Sequence, residues 1–151
     1  MDANVLVRLY LEHDAEGDPR ELLTSREARR AWPFPLTTLL RLEFANALQR
    51  MVYAGRKAGQ WRVTPESAAV ASADFAEQLE TGTFVHPVPL TLDDLEPQFE
   101  SLVGRHTAKH GFRTYDILHV VSALHLGCDT FWSFDAKALQ LARLEGLKTN
   151  R

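Results

Sequence analysis

Thr130-Phe131-Trp132-Ser133-Phe134-Asp135-Ala136-Lys137-Ala138-Leu139 changes character halfway along its length. Its first half is β-branched and aromatic, the composition of a strand, and predicts one over Thr130 to Phe134. The second half consists of good helix formers and predicts a helix from Ala136 to Glu145, with Asp135 at the junction. Leu147 to Thr149 follows as a short edge strand. A strand, a helix and a further strand in that order form the repeating unit of a parallel sheet, whose crossovers need a dozen or more residues.

Upstream the same alternation continues. Helices are expected from Asn4 to Glu12 and from Pro19 to Arg30, where Pro19 suits a first-turn position. Phe34-Pro35-Leu36 reads as extended, because a residue before proline avoids the helical region. Thr38 opens a long helix expected to stop near Gly55, and another spans Pro65 to Glu80. Thr83 to Pro87 reads as a brief strand. A helix from Leu92 to His110 is closed by Gly111, and one from Thr114 ends before Gly127. No repeat, low-complexity tract or long linker interrupts the chain, so residues 1–151 are expected to form a single domain. The expected class is α/β, with three layers: helices flanking a central, mostly parallel sheet.

The chain has 151 residues, 45% of them hydrophobic and 25% charged, which is ordinary for a globular protein able to bury its own core. No apolar run approaches the roughly 20 residues that span a bilayer. Cys128 is the single cysteine, so no internal disulfide can form, and a cytoplasmic location is expected. The net charge of −3 argues against holding nucleic acid by bulk positive charge. Acids that bind a divalent ion would count toward that negative balance.

Four carboxylates stand out. Asp135 follows the expected strand, and in a parallel sheet ligands bind beyond the carboxyl ends of the strands. It is equally a favoured N-cap for the helix after it. Asp116 falls in the first turn of the helix from Thr114, where an acid also suits the helix dipole. It sits beside the apolar stripe of Ile117, Val120, Val121 and Leu124, with His119 and Ala123 on its own side. Glu43 falls between the directions of Leu39 and Leu40 on the long helix. An acid in an apolar arc must be paired or bound to metal, and Asn46 and Arg50 are alternative partners. Asp2 by itself reads as a solvated terminal acid. Together the four form an all-oxygen donor set suited to Mg²⁺ or Mn²⁺, which can activate water for in-line displacement at a phosphodiester.

In order and spacing, four stretches resemble the PIN-domain family, and within it the VapC-like toxins of toxin–antitoxin systems. They are Asp2-Ala3-Asn4-Val5-Leu6-Val7, Leu42-Glu43-Phe44-Ala45-Asn46-Ala47-Leu48, Arg113-Thr114-Tyr115-Asp116-Ile117-Leu118-His119-Val120-Val121-Ser122-Ala123, and Trp132-Ser133-Phe134-Asp135-Ala136-Lys137-Ala138-Leu139. The resemblance covers nearly the whole chain. It implies an α/β/α fold and a Mg²⁺- or Mn²⁺-dependent endoribonuclease whose acids are Asp2, Glu43, Asp116 and Asp135. It places Ser133 at the family's polar position two before the last acid and Asn4 at the Asn of its first motif. It also implies a homodimer held inactive by a cognate antitoxin. In the family the first acid ends a buried strand, whereas only Met1 precedes Asp2 here, so the natural protein is expected to begin upstream. The intact mass of protein made from its own gene decides that point.

Other residues carry weaker signals. Arg113, close before Asp116, is a candidate phosphate contact because guanidinium recognises phosphate in bidentate fashion. His119, one turn from Asp116, is a candidate to position a phosphate or the acid. His106 and His110 have a zinc-compatible spacing, but no cysteine pair or His-Glu-x-x-His pattern accompanies them, and surface histidines fit better. Arg20, Arg26, Arg29 and Arg30 form a basic cluster balanced by Glu21 and Glu27. Trp32, Phe34, Trp61 and Trp132 are candidates for base stacking or for core packing. Rival functions are a nuclease of RNA processing or DNA flap cleavage without antitoxin, and an inactive binding module of the same fold. A phosphatase with an aspartate nucleophile is disfavoured, because position 4 holds no second acid.

Overall fold

The computed structural model describes residues 1–11, 33–58 and 63–150. The expected helix from Pro19 to Arg30, its arginine cluster, Trp32 and Trp61 lie outside the described residues. The chain is a mixture of helices and short parallel strands in two compact units, Ala3–Val88 and Met1–Asp2 with Pro89–Arg151.

In the unit Ala3–Val88, α1 (Ala3–Leu11) buries Ala3, Val5, Leu6 and Val7. β1 (Phe34–Leu36) lies parallel to β2 (Val85–Pro87), with Phe34 opposite Val85 and Leu36 opposite Pro87. Prolines suit so short a pair, because they withhold an N–H from the ladder. Between the strands run α2 (Thr38–Ala58) and α3 (Pro65–Thr81). Thr37 Oγ1 accepts from the Leu40 N–H at 3.1 Å, capping the start of α2. Leu40, Phe44 and Leu48 then recur every four residues and form its buried row.

The expected stop at Gly55 is not used: α2 runs on to Ala58, with Gly55 buried inside it. Glycine within a helix costs only about 1 kcal/mol relative to alanine, which the packing of a long helix overrides. α3 starts at a reciprocal cap between Thr64 and Ser67, has Pro65 in its first turn, and ends at Gly82 with φ +62°. The rings of Tyr10, Phe44 and Phe75 meet in this core, with Phe44 and Phe75 centroids 4.6 Å apart and Tyr10 5.5 Å from each.

In the other unit, Thr91 and Asp94 cap α4 (Leu92–Leu102) reciprocally. A π-helical turn over Val103–Thr107 follows, then one more helical stretch to His110, and Gly111 ends the run in the left-handed region at φ +65°. α5 (Thr114–His125) and α6 (Ala136–Leu144) pack together around Phe112, Ile117, Val120, Phe131 and Leu141. β3 (Thr130–Phe131) pairs in parallel with β4 (Lys148–Thr149), matching Thr130 to Lys148 and Phe131 to Thr149.

The strand expected to reach Phe134 therefore ends at Phe131. Beyond it, polar side chains replace the ladder: the Ser133 N–H donates to Asn150 Oδ1 at 3.0 Å. Among the described residues the strands form two separate parallel pairs, one in each unit. No described helix is long and apolar enough to cross a membrane.

Candidate functional site

Ser133 is fully buried three residues before the first turn of α6, and its hydroxyl bridges two of the expected acids. It donates to Asp2 Oδ2 and accepts the Asp135 N–H at 2.8 Å. Asp2 is itself buried, 6% exposed, and its backbone N–H donates to the Trp132 carbonyl at 3.0 Å. A carboxylate so far from water requires hydrogen-bond donors, and Ser133 is one of them. The connection β3–α6–β4 puts Ser133 and Asp135 beyond the carboxyl end of a parallel strand, the usual location of a ligand site.

Asp135 is the N-cap of α6. Its Oδ1 accepts from the Lys137 N–H at 2.7 Å and from the Ala138 N–H at 3.4 Å. The capping role expected from the sequence thus stands beside its place next to Ser133. Asp116, half-buried in the first turn of α5, accepts the Arg113 N–H on Oδ2 at 3.1 Å. With one oxygen each, Asp135 satisfies two helix-terminal donors and Asp116 one. Among the described residues, Asp116 Oδ1 and Asp135 Oδ2 carry no hydrogen bond.

Glu43 and Asn4 belong to the unit Ala3–Val88. Glu43 lies in the half-buried row of Leu39 and Ala47, alongside the buried row of Leu40, Phe44 and Leu48. Arg113 is exposed. His119, expected to contact substrate, is buried at 6% exposure, as Asp2 is.

Carboxylates and a hydroxyl are hard oxygen donors, so Asp2, Asp116, Asp135 and Ser133 fit Mg²⁺ or Mn²⁺ in donor chemistry. Among the described residues no three His, Cys, Asp or Glu side chains gather closely enough to hold an ion. What is joined is the pair Asp2 and Asp135, through Ser133.

Two residues of this region escaped the sequence reading. Asn150 holds the Ser133 N–H. A signal existed, because Asn150 directly follows an edge strand, where the reasoning applied to Asp135 also applies. Lys137 extends its ammonium to the His110 carbonyl at 2.6 Å, a contact across 27 positions that no local pattern announces. Compared with known proteins, the chain matches no family model and no curated protein.

Proposed function

We propose that this chain is a metal-dependent endoribonuclease that hydrolyses RNA phosphodiester bonds, and the toxin of a toxin–antitoxin pair. Its acids are Asp2, Glu43, Asp116 and Asp135, and its ion is Mg²⁺ or Mn²⁺. The observation that carries this reading is the buried bridge from Asp2 through Ser133 to Asp135 beyond the end of β3. A buried carboxylate is expensive unless it is structurally compensated or functionally needed, and one placed at a strand's carboxyl end supports the second.

The chain's own groups would work as follows. Ser133 fixes the orientation of Asp2 by occupying Oδ2. Its own hydroxyl is oriented by the Asp135 N–H. The backbone amides of Lys137 and Arg113 hold Asp135 and Asp116 by one oxygen each, setting the direction of the other. Arg113, exposed next to the start of α5, would take a phosphate oxygen. A divalent ion held by these carboxylates would supply a water of lowered pKa and would offset charge at the phosphodiester. A cognate antitoxin and a second copy of the chain are the proposed protein partners.

A second reading has support from Asp116 and Asp135, whose hydrogen bonds are those of ordinary helix caps: a binding module without catalysis. One assay separates the two. Purified protein is incubated with end-labelled structured RNAs in Mn²⁺, in Mg²⁺ and in EDTA, beside Asp116→Asn. Cleavage that requires the ion and falls by at least about 100-fold in the variant is expected, the scale on which loss of one transition-state contact acts. Protein that takes up no Mn²⁺ and cuts no RNA would return the acids to capping.

A further inference from the structure

We infer that Lys137 is a positioning residue that fastens the two acid-bearing helix starts to each other, a role that rests on the metal-nuclease reading above. Its backbone N–H donates to Asp135 Oδ1 at 2.7 Å. Its ammonium donates to the His110 carbonyl at 2.6 Å and stands 5.8 Å from the centre of the Phe112 ring. His110 is the last residue before the left-handed Gly111, and the short run Gly111-Phe112-Arg113 leads into α5. Arg113 then gives its N–H to Asp116 Oδ2. One side chain therefore spans from the cap of α6 to the turn that sets the start of α5.

Neighbouring contacts reinforce that turn. Phe112 is buried and stacks on the His110 ring, with centroids 5.4 Å apart and planes 28° apart. Gln140, one turn along α6 from Lys137, meets His110 Nδ1 at 3.3 Å. The methylene stem and ammonium of Lys137 close this group from the α6 side, with cation–π attraction added to the carbonyl bond. Both acids are held through backbone amides, so their placement depends on the backbone that Lys137 fixes.

Charge and geometry make opposite predictions here. A lysine near a cation site repels the cation, so its removal should tighten binding if charge were its only contribution. Removal of a fastening should loosen it. Groups that orient metal ligands typically change affinity 10- to 100-fold, and the exposed ammonium of Lys137 places it at the low end, about tenfold.

The experiment measures Mn²⁺ binding by calorimetry on the full chain and on Lys137→Met and Lys137→Arg, with thermal melts confirming that each is folded. The Asp116 carboxylate ¹³C shift is recorded without metal. The expected results are about tenfold weaker binding and a moved Asp116 resonance in Lys137→Met. Lys137→Arg, which still reaches a carbonyl, should recover most of both. Equal or tighter binding by folded Lys137→Met would overturn the positioning role and leave the metal reading intact. A wild-type chain that binds no Mn²⁺ would overturn both.

Discussion

Phe44 and Ser133 are both sealed from solvent, one in each compact unit, and they are buried for different reasons. Around Phe44 the described interior of Ala3–Val88 is hydrocarbon, with Thr37 the one buried polar residue, used as a helix cap. Around Ser133 the other unit buries Asp2, His119 and Ser122 as well. Ser122 is disposed of locally by donating to the Leu118 carbonyl at 2.7 Å. Asp2 is not disposed of locally; its Ser133 bond links residues far apart in the chain. Apolar burial favours folding wherever it occurs, whereas a buried hydrogen bond contributes only about 0.5–1.5 kcal/mol net and becomes costly when a partner is lost. The buried Asp2 carboxylate is held instead by a long-range hydrogen bond, a placement that apolar packing does not provide.

The sharpest way to break this contrast is at the ring cluster. Phe44→Ala removes a side chain that is 1% exposed and packs against two other rings. Large-to-small changes of this kind cost about 3–5 kcal/mol, and denaturant unfolding should show a loss on that scale. A loss below about 1 kcal/mol would mean that the cluster is not a tightly packed core, and the contrast would disappear.

Ser133→Ala should have a smaller effect on stability and a distinctive one on the site. It strips a donor from Asp2 and an acceptor from the Asp135 N–H, and leaving such groups unpaired costs about 1–3 kcal/mol. Thr37→Ala, the matched change in the other unit, removes only a cap, at about 1 kcal/mol. The sharpening readout is Mn²⁺ affinity: Ser133→Ala should weaken it by about 10- to 100-fold, and Thr37→Ala should leave it unchanged. Equal effects of the two variants on affinity would show that the polar interior has no special relation to a metal.

How far the sequence discloses this architecture depends on the range of the determining contacts. The row Leu40, Phe44 and Leu48 and the flanking position of Glu43 follow from helical periodicity, which is local. Caps are local too, so Asp135 reads correctly as the N-cap of α6. The strand from Thr130 stops at Phe131 although Trp132, Ser133 and Phe134 have strand composition, because Ser133 bonds to Asn150 and Asp2 instead of a ladder. Gly55 does not end its helix, because packing along a long helix outweighs one weak residue. Lys137 was invisible as a fastening, since its carbonyl partner is set by the packing of α5 and α6. Of the candidate site, the capping role of Asp135 is legible in the sequence; the bonds of Ser133 to Asp2 and to the Asp135 N–H are not, because they join residues distant in the chain or depend on how the segment after β3 turns.

The smallest expected effects lie in pH, and they differ in sign between the units. In Ala3–Val88, burial and then the nearby Asp74 charge push the Tyr10 hydroxyl from 10.0 up to about 12. The folded state thus keeps a proton that the unfolded chain releases. That contribution is full below pH 10 and is lost as pH rises toward 12. A tyrosinate absorbance step near pH 12 should vanish in Tyr10→Phe. In the other unit, the Thr91 hydroxyl, at 2.6 Å, and then the Thr91 N–H, at 2.8 Å, hold the Asp94 carboxyl below its ordinary 3.8. Here the contribution is full above pH 3.8 and is lost as pH falls through the lower folded value. Asp94 is wholly exposed, so solvent screens the interaction and the shift itself is the better observable. Carboxylate ¹³C titration should find the Asp94 midpoint below 3.8 in the native chain and higher in Thr91→Ala. A midpoint that ignores Thr91 would remove the reciprocal cap as the cause, and with it the acid-side half of the contrast.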